Sequence, residues 1–184
     1  FSDLFKGLKN FNEDFSEWKI QPINIRGMFE GCENFNQKVS HIDTSRVKNF
    51  ANVFKNCKNF NQDINWDFNS ATIFNGMFSG AHRFNGTIIN NNSDKVVNYI
   101  NMFENCFSFN REINFNMNSA KSLSGMFRNC INFNQDLSNL DISNVYDISN
   151  FCSGCRSLEY GPKWGSKTTK LVNCQNAFSF CKSL

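Results

Sequence analysis

The chain has 184 residues, with 19 Lys and Arg against 16 Asp and Glu and a formal net charge of +3. Acids and bases are mixed along it, so no basic block points to nucleic acid or to a charged membrane surface. No run approaches the roughly 18 apolar residues that a membrane-crossing helix needs.

One phrase recurs through the whole length. An apolar pair opens a copy at Leu4, Met28, Val53, Met77, Met102, Met126, Phe151 and Ala177, and the starts lie 24, 25, 24, 25, 24, 25 and 26 residues apart. A fixed period of about 20–30 residues is the mark of repeats stacked along one axis. The expected organisation is a single repeat domain over 1–184, with seven coils and a partial eighth starting at Ala177. Phe1 and Leu184 fall inside copies, so the chain is expected to be a piece of a longer array.

Within the third copy (53–76, VFKNCKNFNQDINWDFNSATIFNG) apolar residues fall at Val53, Phe54, Cys57 and Phe60. Ile64, Trp66 and Phe68 then alternate with Asn65 and Asp67, the pattern of a half-buried strand. The fifth copy repeats it, with Ile113, Phe115 and Met117 around Asn114 and Asn116. The 25-residue copies carry one extra residue in this stretch, which predicts a bulge or a longer corner. After the strand comes a serine (Ser45, Ser70, Ser93, Ser119 or Ser143), then apolar residues in steps of three, such as Val47 to Phe50. A capping serine and three-residue steps predict a short α or 3₁₀ segment. Gly31, Gly80 and Gly154, or Asn56, Asn105 and Asn129, stand just before the cysteine position and suit a helix exit. The fold class expected is therefore an α/β solenoid, with one short strand and one short helix per repeat.

Stacking would line up three ladders. One is Phe5, Phe29, Phe54, Phe78, Phe103 and Phe127, broken at Cys152 and resumed at Phe178; the second runs from Phe11 through Phe133 to Leu158 and Leu184. Rings in neighbouring coils are expected about one strand spacing apart, roughly 5 Å. The third ladder, Asn12, Asn36, Asn61, Asn85, Asn110 and Asn134, is read as buried amides bracing a corner, because a buried amide must find partners.

Six of the eight cysteines share one position: Cys32, Cys57, Cys106, Cys130, Cys155 and Cys181. Leu8 and Ala81 fill it elsewhere, so the slot wants a small apolar side chain, and free buried thiols are expected over disulfides. Cys152, Cys155, Cys174 and Cys181 have a spacing like that of zinc ligands, yet each stands at an inward repeat position, so no metal or cofactor is expected. His41 and His82 lie in different parts of their repeats and pair with no nucleophile. Recurring carboxylates at Asp14, Asp63, Glu112 and Asp136 read as a solvated edge, and the chain is expected not to be an enzyme. Asn85 and Asn91 open glycosylation sequons.

What is left is surface. Asp43, Asn65, Asp67, Asn114, Asn116 and Asp141 would point outward from the strand face and are the candidate partner-binding residues. The expected partner is a protein or matrix ligand, with no nucleic acid and no insertion into a membrane. Phe-lined end coils also allow end-to-end self-association.

The phrase MFEGCENFNQ (28–37), repeated as VFKNCKNFNQD (53–63) and MFRNCINFNQDLSNLDISNV (126–145), resembles the 25-residue repeat of mycoplasma-type surface lipoproteins of unknown function, grouped with BspA-like leucine-rich-repeat proteins. The resemblance covers nearly the whole chain. It is weakest in the fourth copy, with Ala81, His82 and Gly86, and in the seventh, with Glu159 and Pro162. It implies a right-handed leucine-rich-repeat-like coil stack, display at the cell surface or secretion, and adhesion through protein–protein contact. The alternative is a structural spacer or variable coat with no specific ligand.

Overall fold

In coil two, which opens at Met28, the N–H groups of Met28, Glu30 and Cys32 close turns onto the carbonyls of Ile25, Gly27 and Phe29, each three residues back. The intervening N–H groups, on Gly27, Phe29 and Gly31, donate instead to Ala51, Val53 and Lys55 of the next coil, at 2.7–3.0 Å. The pattern recurs in coil three, where Asn52, Phe54 and Asn56 donate to Asn75, Met77 and Ser79. An α-helix spends every one of these donors within its own segment. Here half of them hold neighbouring coils together, and the segment is a run of overlapping β-turns.

This computed structural model describes residues 1–89 and 92–184, and it overturns the expected α/β solenoid of one strand and one helix per repeat. Among the described residues the helical content is a single 3₁₀ turn, Gly165–Thr168, and there is no sheet, only isolated bridges. The leucine-rich-repeat likeness loses its structural support with it. The steps from Phe50 to Val53 and from Phe54 to Cys57 are turns closed three residues back, whereas at the step from Val47 to Phe50 the Phe50 N–H donates to Ile73 of the next coil. The Gly and Asn residues read as helix exits are left-handed turn residues: Gly31, Gly80 and Gly154 have φ of 77°, 76° and 80°, and Asn56, Asn105 and Asn129 have φ of 60°, 59° and 59°. Gly and Asn suit these places because a turn with positive φ at its third residue excludes most other side chains.

The expected helix and strand arcs are nearly reversed. A column of parallel bridges, Asn49 to Ile73 to Asn98 to Ser122 to Asp147 to Asn173, crosses the arc expected to be helical. The serines expected to cap helices bond between coils: the Ser70 hydroxyl donates to the Ser45 carbonyl at 2.8 Å, and the Ser93 hydroxyl to that of Asn116 at 3.1 Å. In the expected strand arc, Ile64, Trp66 and Phe68 are buried and Asn65 is exposed, so the alternation is real. Among the described residues only Ile64 finds a bridge partner there, Ile88. The extra residue of alternate copies falls in this arc, so adjacent coils run through it out of step and no continuous ladder forms.

Inside the coils the aromatic columns are regular. Phe5, Phe29, Phe54, Phe78, Phe103 and Phe127 stack with ring centroids 5.5–5.7 Å apart and planes within 14° of parallel. A second column from Phe11 through Phe35, Phe60, Phe84 and Phe109 to Phe133 lies beside it, each ring 4.0–4.4 Å from its partner in the same coil. Each fully buried ring contributes about 1.5–3 kcal/mol of burial. The column ends where Cys152 takes the Phe position. Phe151 then turns edge-on to Phe127, at 75° and 5.3 Å. Among the described residues no helix is long and apolar enough to cross a membrane.

Candidate functional site

Four of the six candidate surface residues close local turns. Oδ1 of Asp43, Asp67, Asn116 and Asp141 accepts the backbone N–H two residues on, from Ser45, Asn69, Asn118 and Ser143, at 2.7–3.1 Å. These are Asx turns, in which a short polar side chain substitutes for backbone. Hydrogen bonds from the Ser45 hydroxyl and N–H hold the Asp43 carboxyl below its ordinary pKa, and Ser143 does the same for Asp141. The residues fall in one column along the stack and are exposed or half-buried. Asn65 and Asn114 stand apart from it: both are exposed, and neither side chain makes a hydrogen bond among the described residues.

Asn114 sits at the rim of a cleft of about 270 Å³, with Phe109, Ile113 and Phe115 as apolar lining and Arg111 and Glu112 as polar lining. Gly86 lies on its far wall. A Cβ on Gly86 would meet the Gln62 carbonyl. Without one, coil four closes onto coil three through Ile64 N–H to the Thr87 carbonyl and Ile89 N–H to that of Ile64, at 2.8 and 2.9 Å. No hydrogen bond among the described residues joins 87–89 to 111–115 on the other side.

The asparagine ladder braces the corner but is not buried. Oδ1 of Asn12 accepts the N–H of Asn36 at 2.8 Å, and the bond repeats through Asn36, Asn61, Asn85, Asn110 and Asn134, the last accepting from Glu159 at 3.0 Å. Asn12, Asn36, Asn61 and Asn110 are exposed, and Asn85 and Asn134 half-buried, against the buried amides expected. The sequon at Asn91 lies outside the described residues.

All eight cysteines are free thiols. Each thiol of the shared position donates to a carbonyl of the preceding coil: Cys32 to Phe5, Cys57 to Phe29, Cys106 to Phe78, Cys130 to Phe103, Cys155 to Phe127 and Cys181 to Cys152, at 2.9–3.1 Å. Burial pushes Cys32 and Cys181 up to about 11, and Cys57, Cys106, Cys130 and Cys152 higher still. A thiol held protonated is a poor nucleophile and a poor metal ligand. Among the described residues no three His, Cys, Asp or Glu side chains gather as a metal site. His41 lies edge-on to Phe15, His82 stacks on Phe107 at 4.5 Å, and burial lowers the pKa of both.

The family model described as Mycoplasma protein of unknown function, DUF285, matches residues 1–114, 65–164 and 88–184. The chain belongs to this family. No curated protein and no solved structure matches it.

For this DUF285 chain, the sequence put Asn114 on an outward strand face and gave no sign of a cleft, and Phe109, Arg111, Glu112 and Phe115, which line it with Asn114, were not among the candidate residues. The available signal was Gly86, noted as a departure in the fourth copy and not connected to the coil beyond it. The DUF285 match extends over both weak copies, and the seventh keeps its inward positions, with Cys152, Cys155 and Leu158 fully buried.

Proposed function

We propose that the array is a non-enzymatic, surface-displayed module that binds a protein or matrix ligand through the face carrying Asp43, Asn65, Asp67, Asn114, Asn116 and Asp141. The carrying observation is the cleft beside Asn114, whose apolar lining and flanking Arg111 and Glu112 suit a partner side chain at an otherwise polar surface. Hot spots of protein interfaces have this form, an apolar anchor point ringed by polar groups. Kinship with BspA-like surface proteins, through the M-F-x-x-C-x-x-F-N-Q phrase, belongs to this reading, as do surface display and adhesion.

Asn65→Lys with Asn114→Lys tests it, because neither side chain holds the fold together. Beads coated with the double variant should adhere to cultured host cells several-fold less than beads with the parent protein, at unchanged thermal stability. The second reading is a spacer or variable coat. The coil-to-coil hydrogen bonds of the turn arc, which set length by coil number, favour it. A spacer leaves adherence of the double variant at the parent level.

A further inference from the structure

A second groove, of about 510 Å³, opens on the turn side of coils five to eight, and its side chains break the rules that the other coils keep. One repeat column reads Lys9, Glu33, Lys58, His82, Phe107, Ile131, Arg156 and Lys182. At its start the charges cancel: Glu33 pairs with Lys9 at 3.5 Å and with Lys58 at 2.8 Å. Further along, the column turns apolar at Phe107 and Ile131 and then purely basic. Arg156 and Lys182 are exposed and make no ion pair among the described residues. The neighbouring column consists of left-handed turn residues, Gly or Asn in every coil up to Gly154, and then Phe180. Phe180 has a φ of 61° and is 77% exposed. A bulky aromatic in that conformation is strained, and its side chain stays largely exposed. Gly154 lines the groove between Asn129 and Phe180, and the space that a Cβ there would take is filled by the Asn129 amide.

We propose that this groove docks an acidic peptide segment carrying one apolar side chain. The apolar residue lies against Phe180 and Ile131, and flanking carboxylates pair with Arg156 and Lys182. Charge complementarity selects this occupant, since two unmatched cations flank an apolar slot. Two cations are too few for a nucleic acid backbone, which is held by a longer run of phosphate contacts. The groove is separate from the face that bears Asn65 and Asn114.

The probe is a fluorescein-labelled octapeptide with one central Phe among Asp and Glu, titrated by anisotropy against the intact chain. A peptide with Lys replacing every acid, phosphatidylserine vesicles and a single-stranded oligonucleotide are titrated alongside. The acidic peptide should bind at least about tenfold more tightly than the Lys peptide. Arg156→Glu with Lys182→Glu should weaken it about tenfold or more. Phe180→Gly should also weaken it about tenfold while raising the thermal midpoint, since glycine relieves the left-handed strain. Asn65→Lys with Asn114→Lys should leave peptide affinity unchanged, which separates this result from that of the adhesion face. Equal affinity for the two peptides, full affinity of the Phe180→Gly variant, or tighter binding of vesicles or oligonucleotide overturns the proposal.

Discussion

Asn61 Oδ1 accepts the backbone N–H of Asn85 at 2.8 Å, and Asn85 in turn accepts that of Asn110 at 2.9 Å. Donor and acceptor are the same residue type one coil apart. Each asparagine therefore serves as bracket for the next coil and as load on the previous one. Gln62 and Gln135 reinforce the column by donating to Asn36 and Asn110.

Asn61→Ala removes the acceptor and leaves the N–H of Asn85 to water. The expected cost is about 1 kcal/mol, the usual net value of such a bond. Asn61→Asp keeps an acceptor oxygen and should hold most of that stability. Urea unfolding of both variants checks the point, and equal losses would show that the Asn61 oxygen is not what matters.

The Phe column makes a harsher prediction. Phe54 lies 5.5 Å from Phe29, 5.5 Å from Phe78 and 4.0 Å from Phe60, and is fully buried. Phe54→Ala should cost about 3–5 kcal/mol. Phe54→Leu should cost clearly less, because most of the volume is kept. Since each coil is buried only by its neighbours, the Ala variant should lose hydrogen-exchange protection first in coils two to four.

The buried thiols set an alkaline limit. Burial raises the pKa of Cys57 and Cys130 far above the ordinary 9.0. Above pH 9 the unfolded chain releases these protons and the folded chain keeps them, so the unfolded state binds fewer protons and stability falls as pH rises. Below pH 9 their contribution is fully present. Each such thiol should cost about 1.4 kcal/mol per pH unit above that point. The urea midpoint should hold from pH 7 to pH 8.5 and fall steeply by pH 10, and Cys130→Ala should make the fall shallower. A flat profile to pH 10 would contradict the buried thiol ladder.

The period, the inward positions and one of the two columns of left-handed turn residues were legible in the sequence, and the secondary structure was not. Phe29, Phe54 and Cys57 are inward by repeat position alone, whatever the backbone does between them. The step from Phe50 to Val53 reads equally as a helix or as a turn closed three residues back, and the difference lies in where the Gly27 and Phe29 type of N–H goes. That donor finds its acceptor about 24 residues away, beyond the reach of a local pattern. The strand reading of Asn65 and Asp67 failed for a related reason. Alternate burial shows an extended arc, but a sheet also needs neighbours in step, and the alternating repeat lengths deny it. For the candidate face, exposure was legible, whereas the turns that occupy Asp43 and Asp141 depend on the backbone bend two residues on.

The alternation of Asn and Gly before the apolar pair carries the last prediction. The column reads Asp3, Gly27, Asn52, Gly76, Asn101, Gly125 and Asn150, all with positive φ. A Cβ on Gly125 would meet Oδ1 of Asn101 in the coil before, and one on Gly76 would meet that of Asn52. The glycine thus answers two demands, its own φ of 62° and the space taken by its neighbour's amide. Gly125→Ala should therefore cost about 2–3 kcal/mol, more than the roughly 1 kcal/mol of conformational strain alone. Asn101→Gly tolerates the same φ and vacates the space, so the double variant should recover about 1 kcal/mol of the loss. A double-mutant cycle by urea unfolding measures that coupling. Strict additivity would mean that the Asn101 side chain simply swings aside, and that backbone conformation alone places glycine at every second step.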